Sequence, residues 1–211
     1  MSLRSKKSTP PTREKLLDAT IRLMRQQGYT ATTVDQICAE AAVTKGAFFH
    51  YFKTKELIAE AAIGKWCQNR VAGYMADMGM PEDDPLVRLN RLIDGLIESV
   101  QQPPDGLIVC LLGMVSQEMA GNNERMRATC SGSLQGWTGL VAQLLQQAKD
   151  LHPPKVDFDP QQIAWMLNSL WQGSLLVGKT CDDPKLVAHN FNHIRNYITS
   201  LFSLPESHVK N

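Results

Sequence analysis

Proline and glycine cut this chain into stretches whose apolar residues recur every three or four positions, and no run alternates apolar with polar long enough for a useful strand. Helical period between frequent breakers predicts an all-α fold of about nine helices with no internal repeat. The opening stretch MSLRSKKSTPPT is polar and reads as a basic arm. Thr12 is the expected cap of a helix from about Arg13 to Gln27, which Gly28 should end. Thr33 then caps a short segment with Val34, Ile37, Cys38 and Ala41 on one face. Thr44 caps the very short KGAFFHYF, and Thr54 a long helix from Lys55 to about Met78. Beyond Pro81 and Pro85 the expected helices are Leu86–Val100, a nearly all-apolar Leu107–Met119 that should be buried, and Asn123–Leu151. Asp159 caps one from Pro160 to about Lys179, and Pro184 opens the last, to about Phe202.

A chain of 211 residues, 43% hydrophobic and 20% charged, is long enough for a real core and too apolar for disorder. No uninterrupted apolar run approaches the ~20 residues of a membrane span, and none opens the chain as a signal peptide. Five cysteines without a C-x-x-C pair fit neither a disulfide scaffold nor a structural zinc site, so a reducing cytoplasm is expected. The formal charge of +1 conceals a partition. Residues 1–70 hold twelve Lys or Arg against six acids, a net +6, which leaves ten against fifteen, a net −5, for the remainder. A basic head on an acidic body suits a polyanion-binding module joined to something else, and by itself fits nucleic acid or an anionic membrane equally.

Two short helices across a tight turn, Thr33–Ala41 and Thr44–His50, make a helix-turn-helix candidate. The second must present a slender end to a major groove ~12 Å wide. Thr44, Lys45, Gly46 and Ala47 offer one hydroxyl, one cation and little bulk, and are the expected groove and base-edge contacts. Phe48 and Phe49 are too large for that surface, so at least one should pack inward. Thr33, His50, Tyr51, Lys53 and Lys55 are expected as phosphate donors, although His50 fits a packed ring as well and Tyr51 a mostly buried one.

The run TTVDQICAEAAVTKGAFFHYFKTKELIAEA resembles the N-terminal domain of the TetR family of bacterial transcriptional repressors, over roughly residues 12–60 and including the F-x-x-K-x-E-L exit. Two departures stand out: Ala42 where the family often has glycine at the turn, which suggests slight strain, and Ala47 where it often has Thr or Ser. The resemblance implies a head of residues 1–54 with the DNA-binding helix-turn-helix and a helical body of 55–211 for effector binding and dimerisation. It also implies a homodimer on a palindromic DNA operator, built from the last two helices. Ile163, Met166, Leu167, Leu170, Trp171, Leu175, Phe191, Ile194, Tyr197, Ile198 and Leu201 supply those helices with more apolar surface than an internal face alone uses.

Such repressors take a small effector among the C-terminal helices. Soft and aromatic residues, among them Met114, Trp137, Trp165 and Trp171, suit an apolar or aromatic compound, although each fits plain core too. Cys110, in GLIVCLLGMVSQEM, is either a small buried hydrophobe or, with Lys179 near it to favour the thiolate, a sensor of oxidants or electrophiles. His189 and His193, with Asp182 or Asp183, lack a clear third partner for a metal, and no cofactor or catalytic motif is visible. Three readings stand: an effector-released repressor, a thiol-based repressor using Cys110, and a helical small-molecule-binding protein without a DNA role.

Overall fold

The computed structural model describes residues 11–101, 103 and 106–202, and these form nine helices with a single isolated β-bridge, Pro154 to Phe202. The basic arm with Arg4, Lys6 and Lys7, and Pro104 of the second proline pair, lie outside the described residues. In chain order the helices are α1 (Thr12–Ala31), α2 (Val34–Ala41), α3 (Lys45–Tyr51), α4 (Lys55–Asp77), α5 (Pro85–Gln101), α6 (Leu111–Met119), α7 (Glu124–Leu151), α8 (Pro160–Thr180) and α9 (Lys185–Ser200). Hydroxyl, amide or carboxylate caps start most of them. Thr33, Thr44 and Thr54 accept from the backbone N–H three residues on, Asn123 does so from Met126, and Asp159 from Gln161.

Three local expectations need correction. Pro11, not Thr12, stands at the N-cap of α1, so Thr12 already lies in the first turn. Gly28 interrupts α1 without ending it: at φ 85° and ψ 172° it leaves helical geometry, and the helix resumes to Ala31. Residues 107–110 lie outside any helix, with Cys110 extended, and α6 begins only at Leu111. The Leu107 carbonyl accepts from Arg25 at 3.2 Å, so a backbone acceptor that a helix would bond internally is held by another element. An all-apolar run says that a segment is buried, not which backbone it adopts.

Two buried clusters organise the molecule. Leu16, Leu17, Ile37, Phe48, Phe52 and Ile58 seal α1 to α4 into a small head. Leu89, Ile93, Leu111, Leu145, Leu167 and Phe191 represent the larger cluster of the body. α4 belongs to both, since Ile58 and Ala62 face the head cluster while Ala59 and Ile63 face the body. At 23 residues α4 is about 35 Å long, so movement at its body end is carried to the head.

The turn between α2 and α3 carries the strain that its sequence suggests. Ala42 sits at φ 53° and ψ 48°, in the left-handed region, where its N–H closes on the carbonyls of Cys38 and Ala39. A left-handed alanine costs on the order of 1 kcal/mol relative to glycine. Ala42→Gly is therefore expected to raise stability by up to about 1 kcal/mol, read from urea midpoints at constant m-value. A loss of stability would show that the methyl group makes a compensating contact.

Candidate functional site

Phe48 divides α3 into an anchor and a display face. Its ring is wholly buried in the head cluster, edge-on to Phe49 at 5.2 Å, whereas Phe49 is 45% exposed. With Phe48 as the pin, Thr44, Lys45 and Gly46 are exposed and Ala47 is half-buried, at the end of α3 nearest the turn. The Thr44 hydroxyl accepts from the Ala47 N–H at 3.1 Å, which leaves its proton for an outside acceptor. Beside Gly46 the structure is open: a Cβ built there meets only the Thr44 Oγ1, at 3.8 Å. His50 and Tyr51 are both exposed, ring on ring at 4.9 Å, so neither is core. The Thr33 hydroxyl is engaged locally, accepting from the Gln36 N–H while the Gln36 side chain accepts from the Thr33 backbone N–H.

The cations are less freely available than their count suggests. Arg22 pairs with Glu40 at 2.9 Å, and Lys65 with both Glu14 and Asp18. Lys45 reaches Asp35 at 2.6 Å on an open surface, and that carboxylate raises its pKa and keeps it charged. Such an exposed pair exchanges readily for a phosphate or a base edge. Lys53 meets only the Phe49 carbonyl, at 3.2 Å.

Lys55, expected as a phosphate donor, is engaged within the chain. Its ammonium donates to the Tyr29 and Thr30 carbonyls and lies 4.2 Å from the centre of the Tyr29 ring, while burial lowers its pKa. In this structure it ties the start of α4 to the end of α1, and phosphate contact would require breaking that tie.

Behind the head, the body contains several cavities. One, of about 450 Å³, lies between α4, α5 and α7 and takes in Trp137. A second, about 230 Å³, brings together Cys110, Met114, Gln172 and Lys179, with the Gln172 amide 3.6 Å from the Cys110 sulfur. Trp171 stacks edge-on against Phe191 and lines two smaller spaces beside Cys110. Trp165 lines none of these cavities and is 38% exposed on the outer face of α8, so it does not join the other aromatic residues. Helical spacing places Trp165 one step round from the buried Ala164, and the step turns it outward. Among the described residues no group of three or more His, Cys, Asp or Glu is placed to hold a metal ion; His189 and His193 are exposed on α9.

One residue that the sequence did not single out connects these regions. The Glu118 carboxylate, near the end of α6, accepts from the Tyr29 N–H at 3.1 Å and the Thr30 N–H at 2.7 Å. It fills the space left by the missing side chain of Gly28 and also lines the Cys110 cavity. Next to it, Asn123 donates to Glu56 at 2.7 Å, and Arg125 forms a two-pronged ion pair with Glu60. Both α1 and α4 of the head are thus held at the segment that joins α6 to α7. The only signal in the sequence is that Glu118 is one of three polar residues in an otherwise apolar stretch.

A compact head with a short helix pinned by Phe48, displayed beyond a tight turn and carried on a helical body, defines a helix-turn-helix DNA-binding regulator. Comparison with known proteins gives the same result. Residues 16–62 match the family described as "Bacterial regulatory proteins, tetR family", and residues 85–194 match "Tetracyclin repressor-like, C-terminal domain". The chain belongs to the TetR family of transcriptional regulators. It is 29% identical over 168 residues to the transcriptional regulator AcuR of Cereibacter sphaeroides, covering 79% of this chain and 75% of that protein. To the HTH-type transcriptional repressor NemR of Escherichia coli K12 it is 26% identical over 194 residues, covering 90% and 94%. A crystal structure of a regulatory protein TetR from Rhodobacter sphaeroides superposes with a TM-score of 0.79 at 25% identity, over 91% of this chain and 99% of that one. A regulator from Chloroflexus aurantiacus shares the fold at a TM-score of 0.82, with 18% identity over 92% and 97%. No helix among the described residues is long and apolar enough to cross a membrane.

Proposed function

We propose that the chain is a dimeric repressor that reads a palindromic operator and releases it when a small molecule enters the body. The observation that carries this reading is the Glu118 tie. A side chain in a cavity wall holds two backbone N–H groups at the end of α1, so a ligand that moves α6 moves the head. Release requires only that the ligand favour the arrangement in which two heads no longer match successive major grooves. Thr44, Lys45, Gly46 and Ala47 are read as the groove contacts, with Thr33, His50, Tyr51 and Lys53 toward the backbone phosphates. Lys55 is read as a positioning residue.

A dimer is supported by α8. Most apolar residues of α8 and α9, including Ile163, Leu167, Phe191 and Ile198, are buried within the single chain and do not argue for a partner. The outward stripe does: Trp165, Met166, Leu176 and Val177 repeat at helical spacing beside Ser169 and Gly173, whose small size permits close approach of a second helix. Selection from random duplexes tests the reading. An inverted repeat should be enriched, and no enrichment, or an unpaired half-site alone, contradicts it.

A second reading is favoured by the cavity shared by Cys110 and Lys179: covalent modification of Cys110 replaces reversible binding. Burial raises the pKa of Cys38 and Cys130 and lifts Cys67 to about 11, which disfavours their thiolates. Cys181 is exposed and serves as the internal control. If this reading holds, quinone treatment releases the wild type and Cys181→Ser from DNA but not Cys110→Ser. Release of all three alike removes it.

A further inference from the structure

Arg88 is a buried cation that forms no ion pair among the described residues. Its side chain lines the cavity between α4, α5 and α7, and the residue is only 8% exposed. Its Nε is buried with no hydrogen-bond partner, and its one side-chain contact is a long bond, 3.4 Å, from Nη1 to the Gln147 amide oxygen. The nearby acids have their close partners elsewhere, although the Arg88 charge also helps to lower the pKa of Asp83. Asp83 pairs with Arg91 at 2.5 Å and accepts from the Met80 N–H, while Asp84 pairs with His152 at 2.6 Å and accepts from the Leu86 N–H. Glu82 lies exposed at the rim. A guanidinium has five N–H donors, and leaving it buried and unpaired is costly. The remaining wall is mostly apolar, including Tyr74, Met78, Trp137 and Leu144, and the volume of about 450 Å³ lies in the range that holds a compact organic molecule.

We propose that this cavity is the effector site and that it takes an organic carboxylate with an apolar body, its head group on Arg88 and its body against Trp137. The inference rests on the reading of the chain as a ligand-responsive regulator and adds the chemical class of the ligand. A planar carboxylate accepts two parallel N–H bonds from a guanidinium, which an alcohol or an amide cannot do, and an amine is repelled. The ligand's carboxylate then takes the Arg88 N–H donors that the chain leaves unsatisfied.

The test is isothermal titration calorimetry of the full chain, without DNA, using 4-phenylbutyrate, 4-phenylbutan-1-ol and 4-phenylbutylamine as probes of one shape and three charges. The acid is expected to bind at least about tenfold tighter than the alcohol, and the amine not at all. Arg88→Met should remove the advantage of the acid and leave the alcohol unchanged. The same variant should melt no lower than the wild type, since an apolar chain of similar length replaces an unpaired buried charge. Equal binding of acid and alcohol, preference for the amine, or no heat from the acid at millimolar concentration overturns the proposal. If Arg88→Met fails to fold, the ranking of the three probes on the wild type still decides. Because the titration contains no DNA, its failure leaves operator binding untouched. Tight binding of the acid that leaves operator affinity unchanged would instead count against effector release.

Discussion

Gly28→Ala is expected to destabilise the chain by roughly 2–5 kcal/mol, with a fall in melting temperature of roughly 5–15 °C. Two costs combine. At φ 85° and ψ 172° the backbone is in a region open almost only to glycine. A Cβ at this position would also stand 2.1 Å from the Glu118 Oε1, so the carboxylate must withdraw from the Tyr29 and Thr30 N–H groups. The second cost makes the prediction specific. Glu118→Ala loses the same two hydrogen bonds by itself but opens the space that the new methyl group needs. The double variant Gly28→Ala/Glu118→Ala should therefore be less destabilised than the sum of the two single variants, by 1 kcal/mol or more. Strict additivity in urea unfolding would mean that the carboxylate does not hold the end of α1 in solution. It would also remove the mechanical link from the body cavities to the head.

Leu176→Asp/Val177→Asp is expected to turn the proposed dimer into a folded monomer and to weaken operator binding by at least about a hundredfold. These two side chains are 51% and 44% exposed, so charging them disturbs little of the core, although Leu176 also lines the Cys110 cavity. Two carboxylates on each copy, brought together across a twofold axis, would face their own images at close range without water. The drop in affinity follows because a linked second head binds at a high effective concentration and a separate one does not. Analytical ultracentrifugation reads the first effect and fluorescence anisotropy the second. A variant that remains dimeric would place the interface elsewhere than the outer stripe of α8.

The comparison of sequence and structure separates local from tertiary information. Caps and breakers placed the helices well, because Thr33, Thr44, Thr54 and Asp159 act on backbone groups two or three residues away. The sequence required only that Phe48 or Phe49 pack inward, and the strained turn at Ala42 was suggested by the family resemblance rather than by local spacing. What was not legible depends on which way a side chain leaves its helix and what it meets. Lys55 carries the charge of a phosphate ligand, but its long stem bends back onto carbonyls 25 and 26 residues earlier. Trp165 and Trp171 share a helix and a composition, yet one faces outward and the other lies on Phe191. Glu118 is the one charge in a mostly apolar stretch and Arg88 one of several charges on α5, and what sets them apart is groups 89 and 59 positions away.

Gly46 offers a sharper probe of the α3 surface than any charged residue. Alanine in its place should stabilise the free protein by up to roughly 0.5 kcal/mol, because a glycine in the first turn of α3 is replaced and the new Cβ meets open space. The same methyl group should weaken operator binding if the backbone of α3 lies against base edges. Equal operator affinity would move the contact surface off this end of α3.

Central to the account is sequence-specific binding of duplex DNA through the head. The direct measurement is fluorescence anisotropy of a labelled duplex from the region upstream of the coding gene, against a scrambled duplex of equal length, over a series of salt concentrations. The account predicts that the upstream duplex binds on the order of 10³-fold tighter than the scrambled one, and that both affinities fall steeply as salt rises. Equal affinity for the two duplexes, or no binding to either at low salt, would contradict it.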